Sequence, residues 1–233
     1  MKLISLNTWY CKKEEHVNDY IREHAGSVDI FCIQELMKGG KGKTAGGESQ
    51  NSYENIEKIL SEYNGYFSEY IEGSYYGENS SDINCKRGLA FFVKKNLKQS
   101  FVKDAKLHDI EKKWDDYSGR FAGGAIQIIL VEDYAIANVH GVWQGSIKGD
   151  TKAKIEQSKT IIDLIKRLEG KKIICGDFNA TRLLNKPGGL KNMDYPYELA
   201  KKYNSSFVPE QIVDVWNTWQ CEPIEHFYDD WRY

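Results

Sequence analysis

At 233 residues, with 41% hydrophobic and 28% charged side chains, the chain has the length and composition of one large globular domain. A formal net charge of -2 excludes a general basic field, so any nucleic acid would have to meet a local patch or a metal-bridged cleft. No apolar run approaches the roughly 18 residues of a membrane span, and Lys2–Asn7 reads as a strand rather than a signal peptide.

In chain order, the alternation of Lys2–Thr8 predicts a strand. Val17, Tyr20, Ile21 and His24 then recur at helical spacing over His16–His24, with Gly26 as a stop. Asp29–Ile33 is a short apolar strand, and strand, helix, strand within this length makes an α/β unit. The Gly- and Lys-rich stretch Lys38–Ser49 is expected to be a mobile loop. Tyr53, Ile56, Ile59, Leu60 and Tyr63 mark a second helix. The pattern becomes strand-like over Tyr66–Ile71, Leu89–Val93, Ala125–Val131 and Tyr134–Val139, with Gly77, Gly88 and Gly119 in the intervening loops and a tight turn at Glu132-Asp133. Asp150 caps a long helix with the stripe Ile155, Ile161, Ile162, Ile165 and Leu168, and the strand Lys172–Cys175 follows. Beyond Ala180, Asp194–Tyr203 is expected as a helix and Gln211–Trp216 as a strand.

The five cysteines, Cys11, Cys32, Cys85, Cys175 and Cys221, are scattered without a Cys-x-x-Cys pair, which argues against a disulfide scaffold or a zinc site and makes the cytoplasm the expected compartment. Gly42-Lys43-Thr44 imitates the end of a phosphate-binding loop, but Met37 stands where that pattern needs glycine.

Two apolar runs end abruptly in polar side chains: Asp29–Ile33 leads into Gln34-Glu35, and Ile173-Ile174-Cys175 into Gly176-Asp177-Phe178-Asn179. Unpaired carboxylates are costly to bury in a packed core, whereas a divalent cation and a phosphate would give them a purpose. Read alone, Glu35 could be a salt-bridged strand end, Asn7 serves equally as a turn or cap residue, Asp177 and Asn179 could form an Asx turn, and a lone His140 is more often structural.

Taken in order, Leu6-Asn7-Thr8-Trp9, Ile33-Gln34-Glu35, Arg120, Asn138-Val139-His140 and Gly176-Asp177-Phe178-Asn179 resemble the endonuclease/exonuclease/phosphatase family, the metal-dependent phosphoesterases that include DNase I-like nucleases. The resemblance runs from Met1 to about Asp214. It implies an α/β sandwich: two mixed, mostly antiparallel sheets packed face to face with helices outside, as a single domain over residues 1–233. It further implies that Glu35 and Asn7 serve Mg²⁺, or Mn²⁺ in its place, Asn7 through a metal-bound water or the phosphate. Asp177 would orient or deprotonate the attacking water, Asn179 and His140 would donate to the phosphoryl group, and Arg120 would touch the substrate. His140, Asp177 and Asn179 are expected to converge on one phosphate from neighbouring strands. Lys38, Lys41 and Lys43 could form a phosphate-attracting rim near Glu35, and Trp143-Gln144 could stack on a base or sugar.

Family members usually close with an Asp-Tyr element and a Ser-Asp-His triplet, and neither stands here. Asp214, His226, Asp229 and Asp230 are the only later candidates, so the domain is expected to be truncated or remodelled at its C-terminal end. The expected function is Mg²⁺-dependent hydrolysis of a phosphodiester by an endonuclease or exonuclease acting on nucleic acid. The alternatives are a phosphatase acting on a small phosphorylated molecule or lipid headgroup, and a catalytically impaired member that binds nucleic acid or a protein partner.

Overall fold

Two four-stranded sheets stack face to face in the computed structural model, which describes residues 1–72, 85–107, 124–142 and 152–179. The first sheet has the order β1 (Leu3–Asn7), β2 (Ile30–Lys38), β4 (Lys86–Lys94), β3 (Tyr63–Glu72). The second has the order β5 (Gln99–Lys106), β6 (Ala125–Val131), β7 (Tyr134–His140), β8 (Lys171–Asp177). β1 and β2 run parallel, as do β7 and β8, and every other pair is antiparallel. Each parallel pair is joined by a helix, as such connections require: α1 (Glu14–Ala25) in the first sheet and α3 (Lys152–Ile165) in the second. The expected two-sheet sandwich of mixed, mostly antiparallel strands is thus the observed fold.

The side-chain pattern explains the layers. Within β2, Ile30 and Cys32 face the opposite sheet and, with Phe91 and Val93 beside them on β4, meet Ile129, Val131 and Ile136 across the interface. Phe31, Ile33 and Leu36 face outward onto Ile21 of α1 and Tyr53, Ile56 and Leu60 in and just after α2 (Ser52–Ile59). A strand apolar on both faces is what a sheet covered on both sides demands. On the far side, Ile161 and Ile165 of α3 cover Ile126, Ile128, Ala137 and Val139.

Several boundaries depart from expectation. β2 runs on to Lys38, so Glu35 lies inside the strand, at a bulge between Ile33 and Leu36, and not at its end. Tyr63 opens β3 rather than closing a helix, because Leu60 already ends α2. Gly88 lies within β4, opposite Leu36 and Glu69, where the Phe67 ring packs over it and leaves no room for a side chain. β5 escaped the sequence reading because it is an exposed edge with a bulge between Phe101 and Lys103, which breaks the alternation. The Gly- and Lys-rich stretch is tied back on itself: Gly40 N–H donates to Gln50 O at 3.1 Å, Gln50 N–H to Gly42 O at 3.0 Å and Thr44 N–H to Glu48 O at 2.9 Å. The expected elements at Asp194–Tyr203 and Gln211–Trp216, the Asp150 cap, and Gly77 and Gly119 lie outside the described residues. Among the described residues, no helix is long and apolar enough to cross a membrane.

Candidate active site

The two parallel pairs end at the same edge of the sandwich, and their carboxyl ends carry the polar residues. Open α/β sheets bind ligands outside such strand ends. Asn7 closes β1 beside Gln34 of β2, while His140 closes β7 directly opposite Asp177 of β8. One ligand atom each from Glu35, His140 and Asp177 falls within 4.8 Å of the others.

Asn7 is the clasp. Its Nδ2 donates to Glu35 Oε1 at 3.1 Å and to Asp177 Oδ2 at 2.9 Å, so one amide holds a carboxylate from each sheet. Its Oδ1 accepts the Trp9 backbone N–H at 2.9 Å. The amide is therefore oriented by its neighbours, with its hydrogens toward the carboxylates. Asp177 Oδ1 also accepts the Asn179 N–H at 2.8 Å, and Asn179 Nδ2 donates to Gly141 O at 2.9 Å. Asp177 and Asn179 thus form the Asx turn, which fixes the Asp177 carboxylate, while the Asn179 amide is engaged by Gly141 O.

His140 is buried, with Nε2 3.3 Å from Glu35 Oε1. Burial alone disfavours the imidazolium, but Glu35 and then Asp177 outweigh it and raise the His140 pKa above the ordinary histidine value.

Backbone geometry aims these groups. Glu35 has φ 58, an uncommon left-handed value for a residue other than glycine, set by the bulge in β2. Thr8 secures that bulge: its Oγ1 donates to Glu35 O at 2.8 Å and its N–H to Gln34 O at 3.1 Å. Gly176 has φ 129, and a Cβ there would strike the Val139 backbone, so only glycine lets β8 deliver Asp177 this close to β7.

Three supporting residues carried no assigned role in the sequence. Gln34 Nε2 donates to Asn138 Oδ1 at 2.6 Å, and Asn138 Nδ2 to Ala90 O at 3.1 Å, which makes a buried polar tie between the sheets directly beneath the site. Gln157 of α3 accepts the Val142 N–H at 2.5 Å and donates to Phe178 O at 3.4 Å, joining the segments that follow β7 and β8. The signal for the first two was their place beside Glu35 and His140 on apolar strands, where an amide needs a partner.

Of the expected site residues, Asn7, Glu35, His140, Asp177 and Asn179 come together. Arg120 lies outside the described residues, as do Trp143-Gln144, Asp214, His226, Asp229 and Asp230. Lys38 does not form a rim: its ammonium lies 4.2 Å from the Tyr53 ring centroid and 5.4 Å from that of Phe67, on the helix-covered face. Lys41 and Lys43 are exposed.

The donor set fits a divalent cation. Two carboxylates lie within a few ångströms of each other, hard oxygen donors of the kind such ions take, and the charge they concentrate calls for a counter-ion.

Carboxylates, amides and an imidazole gathered at one edge of a sandwich suit phosphoester chemistry, and comparison with known proteins shows the family. The sequence profile of the Endonuclease/Exonuclease/phosphatase family matches residues 4–231, and the chain belongs to that family, whose members act on phosphoesters and generally depend on divalent metals. No match is found among curated proteins. Among solved structures, an endonuclease/exonuclease/phosphatase from Beutenbergia cavernae superposes with a TM-score of 0.53 at 15% identity, covering 79% of this chain and 49% of that one. Family proteins from Leptotrichia buccalis and Bacteroides thetaiotaomicron each give a TM-score of 0.50 at 16% identity, covering 77% and 84% of this chain and 66% of theirs. These likenesses establish the fold. The chain spans about two thirds or less of the length of those structures.

Proposed function

We propose that the chain is a Mg²⁺-dependent phosphodiester hydrolase acting on nucleic acid. The observation that carries this reading is the Asn7 amide bridging Glu35 and Asp177, one carboxylate from each sheet, beside the buried His140. Glu35 and Asp177 would hold the cation, which would supply Lewis-acid stabilisation of charge on a non-bridging phosphate oxygen.

The chain's own residues account for the rest. Asn7 keeps two like-charged carboxylates at a fixed separation. Asp177 has one oxygen bound by Asn7 and the other by the Asn179 N–H, so it presents its remaining lone pairs in a fixed direction and can orient a water for in-line attack. His140, held by Glu35, offers an N–H to the phosphoryl oxygens as they gain charge.

The test is hydrolysis of single-stranded DNA, duplex DNA, RNA and a phosphomonoester with Mg²⁺ and with EDTA. Mg²⁺-dependent cleavage of at least one nucleic acid, lost in EDTA and in D177N, supports the reading. Turnover confined to the monoester, or unaffected by EDTA, would defeat it.

A further inference from the structure

Arg87 is an anomaly in the described structure. It is only 2% exposed, yet its Nε and Nη1 have no hydrogen-bond partner, and no ion pair with it occurs among the described residues. A buried cation is ordinarily paired, because an uncompensated one is strongly unfavourable. Among the described residues no acceptor answers this guanidinium.

Its position suggests what would. Arg87 pairs with Met37 of β2 and Ile71 of β3, one residue along from Gly88, which pairs with Leu36 beside the Glu35 bulge. Gly88 faces Phe67 on the helix side, so Arg87 shares with Leu89 and Phe91 the face turned toward the second sheet, near the edge where Glu35 lies. From strand spacing, its backbone lies on the order of 8 Å from that of Glu35. The Tyr10 ring covers it, with the guanidinium carbon 4.8 Å from the ring centroid, which fixes the plane of the fork. Tyr10 sits on the left-handed turn Trp9–Cys11, separated from Asn7 only by Thr8. Ser68 Oγ and Gln127 Oε1, on the same seam, are buried and likewise without partners. Arg87, Ser68 Oγ and Gln127 Oε1 thus bring unpaired polar atoms together on one seam beside the candidate site, although the Gln127 amide donates to Tyr66 O at 2.6 Å.

We propose that Arg87 is a specificity residue that receives a second phosphate of the substrate, adjacent to the scissile one. This rests on the phosphodiesterase reading and narrows it: the preferred substrate carries neighbouring phosphates, as a nucleic-acid strand with a terminal phosphate does. The fork binds two oxygens of that phosphate, and Tyr10 is displaced as it enters.

The test uses binding of a dinucleotide with and without a 5′-phosphate to the full chain in EDTA, with turnover not required. Wild type should prefer the phosphorylated dinucleotide by about tenfold or more, the range of a charge-assisted pair. R87Q should bind the two alike, and R87K should keep part of the preference. The melting temperature of R87Q should fall little, because among the described residues the cation it removes has no hydrogen-bond or ion-pair partner and only the Tyr10 ring against it. The proposal is overturned if wild type shows no preference, if R87Q retains it, or if R87Q melts lower and loses affinity for both ligands equally. Displacement of both dinucleotides by inorganic phosphate at comparable concentration would also overturn it, by showing a site for the free ion. A missing Mg²⁺-dependent nuclease activity would defeat the parent reading while leaving this preference measurable.

Discussion

The two halves of the sandwich solve one problem by different means. In β1–α1–β2 and in β7–α3–β8, a parallel pair must bring polar groups to the same edge. The second half does so mainly with glycines: Gly176 takes φ 129, and Gly141 lies against the Phe178 backbone where no side chain would fit, with Asn179 at φ 51 its one left-handed non-glycine residue beside the described site. The first half uses residues that ordinarily avoid the left-handed region, with Glu35 at φ 58 and Trp9, Tyr10 and Cys11 at φ 49, 52 and 52. Such conformations cost about 1–2 kcal/mol each. Glycine can serve where the backbone alone must approach, but not where the strained residue itself supplies the carboxylate. Strain thus sits where function requires a side chain, as it does at many active sites.

The largest effect is expected from breaking the second half. Gly176→Ala forces a Cβ into the Val139 backbone at a φ that alanine resists. It should destabilise the fold by about 3 kcal/mol or more, or prevent folding, as urea unfolding would measure. Gly26→Ala is the control, since nothing lies within 4 Å of its Cβ. Equal midpoints for the two variants would remove the claim that β8 needs glycine.

In the first half, Glu35→Gln keeps shape and removes charge. Mg²⁺ affinity by calorimetry should drop at least tenfold, and turnover by roughly 10²-fold or more. Affinity equal to wild type would take Glu35 out of the metal site and leave Asp177 to hold the cation alone.

The tie between the halves can be measured as a coupling. Gln34→Leu or Asn138→Leu alone strands a buried amide and should cost about 1–3 kcal/mol. The double variant should cost less than the sum by about 0.5–3 kcal/mol, because each single change orphans the other partner. Strict additivity in chemical denaturation would show that the 2.6 Å contact carries no coupling.

These contrasts also mark what the sequence made legible. Periodicity located β1, β2, β6, β7 and β8, because each buries an apolar run, and the short motifs at their ends pointed to Asn7, Glu35, His140, Asp177 and Asn179, which the fold brings close together. β5 was invisible because Phe101 and Val102 are adjacent apolar residues on an exposed, bulged edge. The bulge at Glu35 was invisible too, since a single inserted residue leaves no compositional mark in Ile-Gln-Glu-Leu. Lys38 was misplaced because the strand was expected to end at Ile33 and Lys38 to open a loop, whereas β2 runs on to Lys38 and, past the bulge, turns it to the helix-covered face. Arg87 gave no signal in the sequence, where Lys86-Arg87-Gly88 reads as a polar loop rather than the buried end of β4.

The smallest effect tests the strain itself. Glu35→Gly and Glu35→Ala both delete the carboxylate, so in EDTA they differ only in backbone preference and one methyl group. Glycine in a strand ordinarily costs about 0.5–1 kcal/mol relative to alanine. At φ 58 alanine should carry about 1–2 kcal/mol of left-handed strain that glycine does not. The usual order should therefore reverse, with Glu35→Gly the more stable of the two by roughly 0.5–1 kcal/mol in denaturant unfolding. Both should lose Mg²⁺ binding to the same extent, which separates the backbone effect from the chemistry. If Glu35→Ala is the more stable, the bulge relaxes without its carboxylate. The left-handed geometry would then be imposed by the Asn7 and His140 contacts rather than by the strand.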